Sequence, residues 1–134
     1  MKVVYISGVW DLFHIGHLRA LIQAKELGDF LIAGVVTDEF ATEYKGEPPT
    51  IPFIQRYSIV AAIRCVDVVV PVTSFDIPPC EYDISVRACG PEYGAYAGQK
   101  VVLKKFHNLG IETPTVPRTP GISTTIIRER IKNQ

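Results

Sequence analysis

Short apolar, β-branched runs alternate along this chain with segments whose apolar residues recur at helical spacing. Val3–Ser7 predicts a strand, and Leu18, Leu21, Ile22 and Leu27 predict a helix stopped by Gly28 at its C′ position. Phe30–Thr37 is apolar nearly throughout, as expected of a parallel strand covered on both faces. Asp38–Tyr44 predicts a short helix, Lys45–Pro52 a loop, and Phe53–Cys65 a helix with Pro52 suited to its first turn. Asp67–Val72 and Tyr82–Cys89 predict two more strands, with Ser74–Glu81 irregular around Pro78-Pro79 between them. Gly98–Leu109 sets Val102, Phe106 and Leu109 on one helix face and is stopped by Gly110. Ile111–Val116 predicts a fifth strand, and Ser123 caps a last helix carrying Ile127 and Ile131. Strands alternating with helices imply an α/β fold: one doubly wound domain over residues 1–134, built on a five-stranded parallel sheet.

Composition narrows the function classes. The 134 residues are 47% apolar, enough for a real core, and 14 basic residues balance 14 acidic ones. A sequence-independent nucleic-acid binder needs an excess of Lys and Arg, so no nucleic-acid partner is expected. No apolar run approaches the roughly 18 residues of a membrane span, and Lys2 is followed by too few apolar residues for a signal peptide. The three cysteines, Cys65, Cys80 and Cys89, are odd in number and lack Cys-x-x-Cys spacing. Neither a disulfide framework nor a zinc site is indicated, and a cytoplasmic location is the expectation. Cys89 reads as a small buried apolar residue, and His107, on a lysine-rich helix, as solvated.

A doubly wound sheet binds ligands beyond the carboxyl ends of its strands. The segments there are 8–17, 38–45, 89–93 and 118–125, each enriched in Gly, His, Asp, Lys, Arg, Ser or Thr. Most informative is His14-Ile15-Gly16-His17, placed where a strand ending at Gly8 runs into a helix. A helix start offers unpaired N–H groups and a positive dipole end. Imidazoles three residues apart face the same way, and Gly16 lets a ligand approach the backbone. The pattern favours an anionic, phosphate-bearing ligand.

The run Gly8-Val9-Trp10-Asp11-Leu12-Phe13-His14-Ile15-Gly16-His17 resembles the Gly-x-aromatic-Asp-hydrophobic-Phe/Leu-His-x-Gly-His signature of the cytidylyltransferase family. More than a hundred residues later, Arg118-Thr119-Pro120-Gly121-Ile122-Ser123-Thr124-Thr125 is similar to that family's Arg-Thr-x-Gly-Ile-Ser-Thr-Thr segment. Thr37–Phe40, Lys45-Gly46, Arg56 and Arg64-Cys65-Val66-Asp67 fall between them in family order. The resemblance implies a Rossmann-like fold and transfer of a cytidylyl group from CTP to a small phosphorylated alcohol, such as glycerol-3-phosphate. It implies His14, His17, Lys45 and Arg118 as catalytic residues. Nucleotide contacts would come from Gly8, Val9, Trp10, Asp11, Gly16, Arg64, Asp67, Gly90, Tyr93, Ser123 and Thr124. Mg²⁺ or another divalent cation would accompany the triphosphate near Asp11, and the assembly would be a homodimer.

Family members often carry Gly-Asp-Asp-Trp after the fourth strand, where this chain has Gly90-Pro91-Glu92-Tyr93, and Pro91 has no N–H to donate. Lys45–Thr50 resembles the eukaryotic phospholipid cytidylyltransferases, whereas Val68–Pro78 is similar to heptose-phosphate adenylyltransferases. The rival enzyme reading is therefore adenylyl transfer from ATP to a sugar phosphate or FMN, and the rival of another class is a non-catalytic nucleotide-binding module. Several residues carry two readings. Arg64 and Asp67 either pair where helix meets strand or touch ligand; Trp10 either stacks on ligand or packs beneath the loop; Ser123 both caps a helix and offers a hydroxyl.

Overall fold

A computed structural model describes all residues, 1–134. In chain order the elements are β1 (Val3–Gly8), α1 (Ile15–Glu26), β2 (Phe30–Val36), α2 (Asp38–Lys45), α3 (Phe53–Ala61), β3 (Val68–Val72), β4 (Val86–Arg87), α4 (Ala97–Asn108) and α5 (Thr124–Lys132). The sheet is parallel with order β3-β2-β1-β4, so chain order reverses beside β1. Gly8 pairs with Val35 and Val36 with Val72, which aligns the carboxyl ends of β1, β2 and β3 along one edge.

Alternation within each strand decides which helix packs where. Val4 and Ile6 of β1, with Leu31, Ala33 and Val35 of β2, face Leu21 and Ala24 of α1 and Val60 of α3. Val3, Tyr5 and Ile32 face the opposite side, where Ile77, Tyr82 and Ile84 of the irregular 73–85 segment cover them. Leu21 and Val60 are fully buried, which at about 25 cal/mol per Å² stabilises each by roughly 2 kcal/mol. Pro71 sits in β3, an edge strand, where a missing N–H costs little.

The fifth strand expected at Ile111–Val116 is not formed; the sheet has four strands. The segment lies alongside β4 through two isolated parallel bridges, Val86 with Glu112 and Cys89 with Thr115. The Arg87 N–H donates to Glu112 O at 2.8 Å and the Cys89 N–H to Pro114 O at 2.9 Å, but the rung between them needs an N–H at residue 114. Proline has none. The Arg87 carbonyl deprived of that rung accepts the weaker Cys89 thiol instead. The fourth strand is also shorter than the expected Tyr82–Cys89, with only Val86 and Arg87 in the ladder. Helix α3 likewise ends at Ala61, short of the expected Cys65.

Gly28 stands at C′ of α1, directly after the C-cap Leu27 as expected, but not in the left-handed conformation. Its missing side chain has a packing cause, since a Cβ there would lie 2.7 Å from Lys2 O. Gly46 and Gly110, by contrast, do follow α2 and α4 at φ 87° and 77°.

Candidate functional site

Between β1 and α1 the backbone turns twice through the left-handed region, at Trp10 (φ 57°) and Leu12 (φ 49°). Non-glycine residues there cost of order 1–3 kcal/mol each and persist only when the surroundings hold them. Trp10 is held from below: its side chain is buried and its indole N–H donates to Gly34 O at 2.8 Å. Gly8 makes room for it, because a Cβ at that position would lie 2.8 Å from the indole ring.

Asp11 supplies the other restraint. Its carboxylate is 3% exposed and accepts the N–H groups of Thr50 and Ile51, each at 2.8 Å, together with the Arg128 guanidinium. The Thr124 hydroxyl donates to the Asp11 carbonyl at 3.0 Å. One residue thus clamps three segments: the β1–α1 turn, the loop after α2, and the start of α5. Burial opposes the Asp11 charge, but these donors outweigh it and hold the carboxyl below its ordinary value.

Both carboxylate oxygens of Asp11 are occupied, and nowhere do three His, Cys, Asp or Glu side chains gather. The residues present do not fit a protein-held divalent cation, and Asp11 is better described as a clamp than as a ligand.

The two histidines cap α1 reciprocally. The Gly16 N–H donates to His14 Nδ1 at 3.0 Å, and the His14 N–H donates to His17 Nδ1 at 3.2 Å. The rings stack with centroids 3.8 Å apart. Each Nδ1 must keep its lone pair to accept, so the proton of each neutral ring sits on Nε2. Two N–H donors are therefore presented together at a helix N-terminus. Burial, followed by the neighbouring His14, pushes the His17 pKa down to about 4, with Asp11 partly opposing; burial also lowers His14. His17 is consequently a neutral donor at pH 7, not a group poised near it as its ordinary value suggests. Gly16 also serves differently from expectation. A Cβ there would strike the His14 ring at 2.8 Å, so the glycine accommodates the imidazole rather than a ligand.

Two adjoining cavities open at the carboxyl edge of the sheet, sharing Ser7, Gly8, Val9, Lys45 and Gly90. The first, about 330 Å³, is lined by Trp10, Asp11, His17, Thr124, Thr125 and Arg128. The N-termini of α1 and α5 both meet it. The second, about 390 Å³, is lined by Phe40, Tyr44, Phe75, Tyr93, Tyr96 and Arg118, among others. Burial, then the charge of Arg128, lowers the Lys45 pKa.

The expected site residues divide on this map. Gly8, Val9, Trp10, Asp11, His17, Lys45, Gly90 and Thr124 converge on the first cavity, and His14 is stacked on His17. Arg118 and Tyr93 line the second instead, where Arg118 pairs with Glu92. Ser123 accepts the Ile126 N–H at 3.1 Å, capping α5, and lines neither cavity. Arg64 and Asp67 lie away from both. Asp67 precedes β3 at the amino end of the sheet, where it accepts the Leu31 N–H at 2.8 Å and pairs with Lys25 at 2.5 Å. Arg64 is exposed in the turn before it.

Two arginines without an assigned site role also shape the site: Arg128, outside both motifs, and Arg56, named above only for its family order. Arg128 stands four residues after Thr124, so helical periodicity puts it on the face carrying the Ser-Thr-Thr motif. Arg56 is 1% exposed and donates to the carbonyls of Val9 (2.6 Å), Val36 (2.8 Å) and Ile51 (2.8 Å) while pairing with Asp38 at 2.7 Å. It ties the ends of β1 and β2 to the loop beside Lys45. Its apolar helical surroundings carry no such signal.

A family model described as Cytidylyltransferase-like matches residues 5–130. The glycerol-3-phosphate cytidylyltransferase of Bacillus subtilis is 35% identical over 134 residues, covering 98% of each chain. Choline-phosphate cytidylyltransferase A of Mus musculus is 39% identical over 133 residues, covering 96% of this chain and 36% of its own, so the chain spans about a third of that relative. Among solved structures, the lipopolysaccharide core biosynthesis protein of Thermoplasma volcanium superposes with a TM-score of 0.64 over 89% of this chain and 97% of its own, at 24% identity, which shows the shared fold. With the two end motifs brought together at one cavity and the match running from residue 5 to residue 130, the chain belongs to the cytidylyltransferase-like family.

Proposed function

We propose that this protein transfers a cytidylyl group from CTP to the phosphate of a small phosphorylated alcohol, giving a CDP-alcohol and pyrophosphate. The observation that carries the reading is the reciprocal histidine cap, which leaves the Nε2–H of both rings uncommitted at one helix start, with His17 lining a cavity that also receives the α5 N-terminus, Lys45 and Arg128. Such a cavity suits a triphosphate. An acceptor phosphate oxygen attacks the α-phosphorus; the new P–O bond forms as the bond to the α–β bridging oxygen breaks, and its electron pair leaves on pyrophosphate. His14 and His17 stabilise that departing charge as preorganised donors, with no covalent intermediate. Lys45, lining both cavities, neutralises both reactants and holds them in line.

Similarity to proteins named as glycerol-3-phosphate and choline-phosphate cytidylyltransferases supports CTP as the donor. The divalent ion enters with the triphosphate, since Asp11 is already occupied, and the assembly is the homodimer that the resemblance implies. The test is acceptor-dependent pyrophosphate release with CTP against ATP in the presence of Mg²⁺. Release with CTP is expected. Release only with ATP makes the protein an adenylyltransferase, and silence with every pair, alongside retained nucleotide binding, makes it a non-catalytic module.

A further inference from the structure

Beneath the second cavity lies a cation with no counter-ion. Arg87 is 1% exposed and forms no salt bridge with any carboxylate. Its Nη1 donates to Ala88 O and its Nη2 to Ser7 Oγ, both at 2.6 Å, while Nε has no partner. A buried charge left this way is costly and keeps its field. Its guanidinium lies over the faces of Tyr93 and Tyr5, 4.3 and 5.1 Å from their centroids. Ser7 and Tyr93 both line the cavity.

These contacts determine the polarity of the cavity wall. Arg87 occupies a lone pair of the Ser7 hydroxyl and leaves its O–H to donate, with the buried Tyr5 hydroxyl beside it competing with a cavity ligand for that donor. Gln99 is set likewise: its Oε1 accepts the N–H groups of Gly94 (2.9 Å) and Tyr96 (3.3 Å), leaving the amide NH₂ as donor. Lys45 and Arg118 are donors by nature, and the one carboxylate in the lining, Glu92, is paired with Arg118. The aromatic wall is engaged with itself and with Arg87. Tyr44, Phe40 and Phe75 pack on one another with centroids 4.9–5.1 Å apart, and Tyr93 already holds the Arg87 cation.

Resting on the cytidylyl-transfer reading, we propose that the second cavity receives the acceptor and that buried Arg87, acting through Ser7 and Tyr93, selects phosphate esters rich in hydroxyl or carboxylate oxygens against those bearing a quaternary ammonium. Arg87 is a positioning residue here: it sets the Ser7 hydroxyl and the charge of the floor without touching the reacting atoms. A like charge beneath the cavity and the lack of a free carboxylate both work against a cationic tail.

Steady-state pyrophosphate release with CTP and Mg²⁺ tests this on the full chain, using glycerol-3-phosphate, 3-phosphoglycerate and choline phosphate as acceptors. In the wild type, kcat/KM for the better of the first two should exceed that for choline phosphate at least about tenfold, and which of them leads tells hydroxyl from carboxylate recognition. Arg87→Met removes the charge while filling the space, and should bring the ratio within about threefold, the change falling in the acceptor KM and not in the CTP KM. Ser7→Ala should raise the KM of the preferred acceptor and gives the same readout should R87M fail to fold. A wild type that prefers choline phosphate, or variants that keep its full discrimination, overturns the proposal while leaving cytidylyl transfer standing. Silence with all three acceptors and with both CTP and ATP overturns that reading and the proposal with it.

Discussion

Replacing His17 with glutamine separates the imidazole's charge from its capping role. Glutamine is a natural partner at the third position of a helix capping box, so H17Q keeps an acceptor for the His14 N–H and removes the titrating ring. In the folded chain the His17 pKa falls from 6.5 to about 4, chiefly through burial. The unfolded chain therefore takes up the proton first as pH drops, and stability falls between pH 6.5 and about 4, then levels off. At about 1.4 kcal/mol per pH unit this amounts to about 2 kcal/mol at pH 5, and to about 1 kcal/mol once His17's partial contact with water is allowed for. The assay is urea unfolding of wild type and H17Q at pH 7.5 and pH 5.0. The wild type should lose about 1–2 kcal/mol more than the variant over that interval, with His14 and His107 common to both. Asp11 does not interfere, because its depressed carboxyl contributes stability that disappears only as pH falls below the ordinary carboxylate value. Parallel pH dependences, or a wild type stabilised by acid, would refute the assignment of a neutral, cap-accepting His17.

Asp11→Asn should lower stability by about 2–3 kcal/mol and raise the CTP KM, since it leaves Arg128 without its counter-charge and loosens three segments at once; denaturant melts and kinetics read both. In Gly16→Ala the new methyl meets the His14 ring, so kcat should fall at least about tenfold while the fold survives; unchanged turnover would argue that the cap geometry is irrelevant to chemistry. Arg64→Ala should leave the CTP KM within about twofold, because the residue is exposed and remote from both cavities, and a large rise would restore it to the nucleotide site.

The chain itself determined much. Apart from the fifth strand, the alternating strand and helix patterns, the Ser123 cap and Gly110 after α4 are local consequences of side-chain and backbone preference that the structure shows where the pattern put them, whereas Thr37, expected in a strand, caps α2. Of the two motifs that meet at the first cavity, the histidine pair was legible from residue type and spacing at a helix start, and the Arg118–Thr125 segment from its resemblance to the family's. Other features are non-local. Pro114 removes a rung only because the opposite position is Arg87, so its cost to the fifth strand depends on register between distant segments. Arg64 and Asp67 follow family spacing, yet the parallel pairing of β2 with β3 carries Asp67 to the amino end of the sheet, away from the ligand edge. Nor does any spacing reveal that Asp11 is consumed by Thr50, Ile51 and Arg128, that Gly8 and Gly16 yield to rings two residues away, or that burial drives His17 neutral. Periodicity and chemistry act over a few residues and are written in the sequence; desolvation, register and the sharing of hydrogen-bond partners arise only when distant segments meet.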